Sequence, residues 1–233
     1  MIYFISDPHG GERMQGFERA LRLAQPDDTL IILGDLGLAF GKSEENRRFT
    51  EWFLSLDRRI LIVDGNHENF AYLNAFPEES WGGGRVNRLS RSILRLQRGY
   101  VFEIDGQRFF VMGGCKSSAK WAKMGLWYEG EEPNEEEIAR AYRSLSESNH
   151  AVDYVLTHKY EPSETERDLN TLQGLRNYID EKVSFRHWYA GHWHACRDTD
   201  ERHTIVYDIP TALGQTAEDA KAAFSNFFEE TPT

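Results

Sequence analysis

The chain has 233 residues, 40% of them hydrophobic, which suffices for one sizeable core and sits at the upper end for a single domain, so residues 1–233 are read as one unit. A net charge of −11 argues against broad capture of nucleic acid, because neutralising phosphate needs clustered Lys and Arg. No stretch approaches the roughly 20 apolar residues that span a bilayer, the N-terminus opens on an apolar run rather than an export leader, and Cys115 and Cys196 lack the CxxC spacing of a disulfide scaffold or thiolate zinc site. A soluble, cytoplasmic protein with reduced thiols and no membrane partner is expected.

Ile2-Tyr3-Phe4-Ile5, Thr29-Leu30-Ile31-Ile32-Leu33 and Ile60-Leu61-Ile62-Val63 read as buried parallel strands. Between them, Met14, Phe17, Leu21 and Ala24 share one helical face, as do Phe49, Trp52, Phe53 and Leu56, giving a β-α-β-α-β series. Past residue 90 the pattern changes. Ile93-Leu94-Arg95-Leu96, Tyr100 to Ile104 and Phe109 to Met112 read as antiparallel strands joining a second sheet, with Asp105-Gly106 as a hairpin turn. Asn134 and Glu137 suit a capping box for a helix carrying Ile138, Ala141, Tyr142 and Leu145. A strand through Val152 to Leu156, a helix through Leu169, Leu172, Leu175 and Ile179, and a strand His187 to Ala190 follow. Residues 216–228 read as a terminal helix with Ala220, Phe224 and Phe227 on one side, packed on the body or forming a subunit contact.

Five short pieces at strand ends concentrate the chemistry: Asp7-Pro8-His9, Gly34-Asp35, Gly65-Asn66-His67-Glu68, Thr157-His158 and Gly191-His192-Trp193-His194. Open α/β sheets place their ligands at such ends. Five of the eight histidines fall in these pieces, and the other three, His150, His187 and His203, sit in ordinary helix-end or strand contexts. Hydrolysis of a phosphate ester at a binuclear centre needs a bridging carboxylate, terminal imidazole and carboxylate ligands, and open coordination positions. Asp35 is the natural bridge, Asp7 and His9 can point to one cation, Asn66, His158 and His192 can serve the second, and His194 can return to the first.

These pieces, in this order, resemble the DxH, GD, GNH[DE], H and GHxH signature of the calcineurin-like metallophosphoesterase superfamily, over residues 1 to about 195. The resemblance implies an α/β fold, a four-layer sandwich of two mixed β-sheets flanked by helices. Carried over by position, it assigns one metal to Asp7, His9, Asp35 and His194, the other to Asp35, Asn66, His158 and His192, and His67 to the substrate phosphate as general acid or charge stabiliser. It further implies in-line attack on phosphorus by a metal-bridging hydroxide, without a covalent enzyme intermediate. Mixed nitrogen and oxygen ligation suits two divalent ions, manganese first, with iron or zinc as alternatives. One departure stands out: the family often reads GDxxD, its second aspartate supporting the histidine of GNH, and here that position is Leu38. Glu68 or another carboxylate could take over that support.

Singly, each piece reads as a turn, a cap or a satisfied polar residue, but five unrelated turns would have to converge on one ligand shell by accident. Arg85, Arg88, Arg91, Arg95 and Arg98 could contact phosphate or extend a nucleic-acid surface, although an exposed loop and strand edge is the preferred reading. Residues 114–133, with Lys116, Ser117, Lys120, Trp121, Lys123 and Trp127, form an insertion that could overhang the site and select the leaving group, with Lys116 and Asn66 touching substrate; packing is the competing reading for both tryptophans. The expected substrate is a small phosphate ester, mono- or diester, with a nucleotide or small phosphodiester preferred and nucleic acid less favoured. The alternatives are a fold retained as a binding or scaffold module, a nuclease, and a protein phosphatase, for which no peptide groove is evident.

Overall fold

A computed structural model describes residues 1–117, 123, 127–160 and 171–229, with side chains given as far as residue 225. Two mixed sheets face each other. The first contains β1 (Ile2–Ile5), β2 (Thr29–Leu33), β3 (Ile60–Val63), β4 (Glu78–Trp81), β5 (Gly84–Arg88), β6 (Ile93–Leu96) and β13 (Thr211–Ala212), in the order β13-β1-β2-β3-β6-β5-β4. The second contains β7 (Tyr100–Ile104), β8 (Gln107–Met112), β9 (Tyr154–Thr157), β10 (His187–Ala190), β11 (Arg197–Asp200) and β12 (His203–Ile205), in the order β11-β12-β10-β9-β8-β7. Strands β1, β2, β3 and β6 run parallel, as do β8, β9, β10 and β12.

Alternation along the strands sorts apolar side chains into three layers. Ile31 and Leu33 of β2 point inward with Phe4, Leu61, Phe109, Leu156 and Tyr189 to form the layer between the sheets. Leu30 and Ile32 point outward, where α1 (Gln15–Leu23) and α2 (Glu44–Leu54) cover them with Phe17, Ala20, Phe49 and Phe53. On the far side, Val155 and Trp188 meet Ile138, Ala141 and Leu145 of α4 (Glu135–Glu147) and Leu175 and Ile179 of α5 (Leu172–Lys182). The result is the four-layer α/β sandwich expected.

The capping box at Asn134 and Glu137 forms in both directions. The terminal helix α6 (Ala217–Glu229) buries Ala220 and places the Phe224 ring 4.8 Å from the Arg19 guanidinium; the Phe227 side chain, like Leu169, Lys120 and Trp121, lies outside the described residues. Among the described residues, no helix is long and apolar enough to cross a membrane.

The strand Ile93–Leu96 corrects one expectation. It joins the first sheet, parallel to β3, rather than the second. The reason is burial on both faces: Leu94 and Leu96 enter the layer between the sheets while Ile93 enters the helix-covered layer, which suits an interior position. The β4–β5 hairpin and the short helix α3 (Phe70–Asn74) are unanticipated, as are β11, β12 and β13. Glu78–Trp81 is partly exposed and Arg197–Asp200 contains no apolar residue, so hydrophobic periodicity is silent there.

Part of the arginine stretch departs from the exposed reading. Arg95 and Arg98 are buried and converge on the fully buried Asp64 carboxylate just past β3, Arg95 with bonds of 2.6 and 2.9 Å and Arg98 with one of 3.0 Å. Arg85 pairs with Glu78 and Arg88 with Glu79. Burial alone would raise the Asp64 pKa, but the two guanidiniums outweigh it and hold the carboxyl below its usual range. A carboxyl with a depressed folded pKa contributes stability above its unfolded value, about 4, and loses it as pH falls toward the folded value. Asp64→Ala, which leaves two buried cations unpaired, should lower stability by about 3–5 kcal/mol in urea unfolding. Lowering the pH from about 6 to about 3 should reduce the urea midpoint more in the native chain than in Asp64→Asn.

Candidate metal centre

Strands β1, β2, β3, β9 and β10 all deliver their C-terminal ends to one edge of the sandwich, and each of the five pieces singled out in the sequence starts there. Asp7, His9, Asp35, His192 and His194 all adopt positive φ, between 48° and 73°. That conformation is uncommon for residues with a Cβ and recurs where function dictates backbone direction. Close approach explains the motif glycines: a Cβ at Gly65 would lie 2.1 Å from the Asp35 nitrogen, and one at Gly191 would lie 1.8 Å from Ser6 Oγ.

The side chains fall into two groups that share Asp35. In the first, His9 Nε2 and His194 Nε2 are 2.8 Å apart, with Asp7 Oδ1 3.3 Å from His194 Nε2 and 3.8 Å from His9 Nε2. In the second, His158 Nε2 lies 3.1 Å from Asn66 Oδ1 and 3.2 Å from His192 Nδ1. Asp35 spans both, Oδ1 3.3 Å from His158 Nε2 and Oδ2 3.9 Å from His9 Nε2. Asp7, His9 and His194 each offer a donor atom within 4.8 Å of the others, as do Asp7, Asp35 and His158. Among the described residues, Asp7 Oδ1 is buried and accepts no hydrogen bond, whereas Oδ2 accepts one from the His192 amide at 2.9 Å.

The electrostatics keep most of these atoms available as donors. Burial pulls His9 down to about 4 and His192 down to about 3, the latter aided by the charge on His158, so both rings stay neutral near neutral pH. Burial opposes charge on His158 as well, but Asp35 overrides it and lifts the imidazole to about 9. Its Nδ1 donates to the Leu33 carbonyl at 2.7 Å, which aims Nε2 at the cluster. The neighbouring imidazoles hold Asp35 well below the carboxylate range against the effect of burial.

Leu38, at the position where the family often has aspartate, is fully buried in the helix-covered core. Glu68, the other carboxylate considered for that support, is buried. Its oxygens accept from the amides of Leu36 (2.9 Å), Gly37 (3.0 Å) and Gly65 (3.3 Å), so it braces the loops that carry Asp35 and Asn66. Burial, with Asp35 and Asp64 nearby, raises its pKa to about 8. His67 donates its amide to Asp35 Oδ1 at 2.8 Å, and its ring sits edge-on to His9 and to Phe40, each at 5.4 Å.

The two groups open into a cleft of about 1470 Å³ lined in part by His67, Lys116, Phe40 and Trp52. Trp127, from the same segment, is exposed. Arg13 and Lys159 also line the cleft. Arg13 contacts His194 Nδ1 at 2.6 Å, and Lys159 Nζ sits 5.4 Å from the Trp193 ring centre. Sequence reading passed over both, although they lie close to Asp7-Pro8-His9 and directly after His158.

The calcineurin-like phosphoesterase family profile matches residues 1–196, and the chain belongs to that family. It is therefore a phosphoesterase in the general sense, with residues able to hold divalent metal. No curated protein matches the chain. A solved structure of a protein of unknown function from Aquifex aeolicus is similar at 16% identity and a TM-score of 0.39, over 79% of this chain and 87% of that one.

Gly191→Ala tests the packing of the centre. The added methyl collides with Ser6 and stands 2.9 Å from Asp7 Oδ2, so the melting temperature should drop and divalent-metal affinity measured by calorimetry should fall at least about tenfold.

Proposed function

We propose that the chain is a single catalytic unit holding two divalent ions, one by Asp7, His9, Asp35 and His194 and the other by Asp35, Asn66, His158 and His192, and that it hydrolyses a small phosphate ester. The observation that carries this reading is the placement of Asp35, whose two oxygens face separate groups of imidazoles. Asp7 Oδ1 supports it: buried and without a hydrogen bond among the described residues, it faces only the His194 and His9 imidazoles, and a buried carboxylate oxygen so placed is costly unless a cation meets it. Nitrogen and oxygen donors suit manganese, with iron or zinc as alternatives. Ions bound there would supply an activated hydroxide and neutralise charge on the phosphate oxygens.

The chain's own residues have distinct tasks. The Leu33 carbonyl orients His158, and Glu68 fixes the loops bearing Asp35 and Asn66. His67 faces the cleft beside the first group, where it can donate a proton to the leaving oxygen or stabilise its charge. Lys116 and Asn66, with Arg13 and Lys159, offer contacts to an anionic ester. A small phosphodiester or a nucleotide is preferred, in the cytoplasm, over a nucleic-acid polymer. Four of the five arginines that might have formed a basic groove, Arg85, Arg88, Arg95 and Arg98, are instead paired with Glu78, Glu79 and Asp64.

An aryl phosphodiester, an aryl phosphomonoester and a phosphopeptide, each assayed with manganese, iron, zinc or nickel, test the reading. Hydrolysis should require metal, favour the aryl esters, and fall at least about a thousandfold in Asp35→Asn together with bound-metal content; no turnover with any metal would favour a scaffold. His67→Ala should slow poor leaving groups more than good ones, and equal losses across the series would leave His67 a charge stabiliser only. Manganese affinity should rise with pH up to about 9, by about tenfold per pH unit, because the ion displaces the His158 proton.

A further inference from the structure

Cys115 lies outside every motif that the sequence offers, yet its thiol enters the second donor group. Sγ stands 3.1 Å from Asn66 Oδ1 and 3.8 Å from His192 Nδ1. Cys115, His158 and His192 each present a donor atom within 4.8 Å of the other two. With metal–nitrogen bonds near 2.05 Å and a metal–sulfur bond near 2.3 Å, nitrogen and sulfur on one ion are about 3.1 Å apart at a right angle and about 3.8 Å apart at 120°. Two nitrogens on that ion are about 2.9–3.4 Å apart over right-angled to tetrahedral geometry, and the His158–His192 separation of 3.2 Å falls inside that interval.

Backbone packing fixes the thiol there. Gly113, directly after β8, lies so close to the end of β3 that a Cβ would stand 2.5 Å from the Asp64 carbonyl oxygen. The Gly114 amide donates to that same carbonyl at 2.8 Å, and the Gly114 carbonyl accepts from the buried Arg176 at 3.3 Å. Asn66 Nδ2 donates to Ser117 Oγ at 2.9 Å, which turns Oδ1 toward Cys115 and His158. A buried structural cysteine ordinarily packs as a small hydrophobe. This one, 3% exposed, faces an amide oxygen and an imidazole nitrogen instead.

The geometry points to Cys115 Sγ as a further ligand of the ion held by Asp35, Asn66, His158 and His192, a soft donor that biases this position toward zinc, cobalt or cadmium over manganese. The inference rests on the two-ion reading above. As the sulfur–metal bond forms, the S–H bond breaks and its proton leaves to solvent, with no change of oxidation state. The other group, Asp7, His9 and His194, has oxygen and imidazole donors only and carries no such bias.

Cobalt(II) titration of the metal-free full-length chain, with bound cobalt counted by elemental analysis, tests it. The native protein and Cys196→Ser should both develop a thiolate-to-cobalt charge-transfer band in the near ultraviolet, and Cys115→Ser should bind cobalt without that band. In Cys115→Ser, zinc and cadmium affinity at the second position should fall at least about tenfold while manganese affinity changes by less than about threefold. Bound cobalt without a charge-transfer band in the native protein overturns the thiol ligand and leaves the two-ion centre standing. A chain that binds no cobalt overturns both.

Discussion

The hydrogen bond from His158 Nδ1 to the Leu33 carbonyl joins the two sheets where their parallel strands end. It satisfies a carbonyl that leaves the ladder at the tip of β2, and it fixes the ring of a residue at the tip of β9. Ser6 Oγ donates to the same carbonyl at 3.0 Å, so three strand ends meet on one atom. The arrangement depends on the apolar layer behind it. Phe4 stacks on Tyr189 across the sheets with ring centres 4.4 Å apart, which sets the separation at which loops from opposite sheets can interleave donor atoms.

Gathering carboxylates and imidazoles in a dry setting creates an electrostatic load that the surrounding structure distributes. Asp35 is held charged by imidazoles, and Asp64, further back, by Arg95 and Arg98. Glu68 accepts backbone amides and lies between these two anions, which is why its pKa is displaced upward. The outer arginines pair locally at the β4–β5 edge. The cleft itself is lined by the cations Arg13, Lys42, Arg48, Lys116 and Lys159, of which Arg48 also pairs with Glu44.

Much of this was legible in the chain. The runs Thr29–Leu33, Ile60–Val63 and His187–Ala190 coincide with strands because a strand buried on both faces reads as a near-continuous hydrophobic run, with Thr29 and His187 as buried polar first residues. Asn134 and Glu137 specified a helix start through local bonds alone. The order of the five pieces identified the family because ligand chemistry restricts residue types more tightly than packing does. By contrast, Asp64 lies 31 residues from Arg95 and 34 from Arg98, and Leu36 and Gly37 lie 32 and 31 from Glu68, and no local pattern encodes a pairing at that separation.

The sequence by itself determined the strand-helix alternation, the chemical types at the strand ends and the membership of a phosphoesterase family, since each depends on residue identity and short-range periodicity. Tertiary structure alone decided which sheet received Ile93–Leu96, that Glu68 braces the backbone of the neighbouring loops, and that a solitary cysteine stands beside Asn66 and His192. These outcomes follow from the packing of two sheets against each other, where the spacing of the apolar layer and the course of the backbone bring together atoms that sequence separation keeps apart.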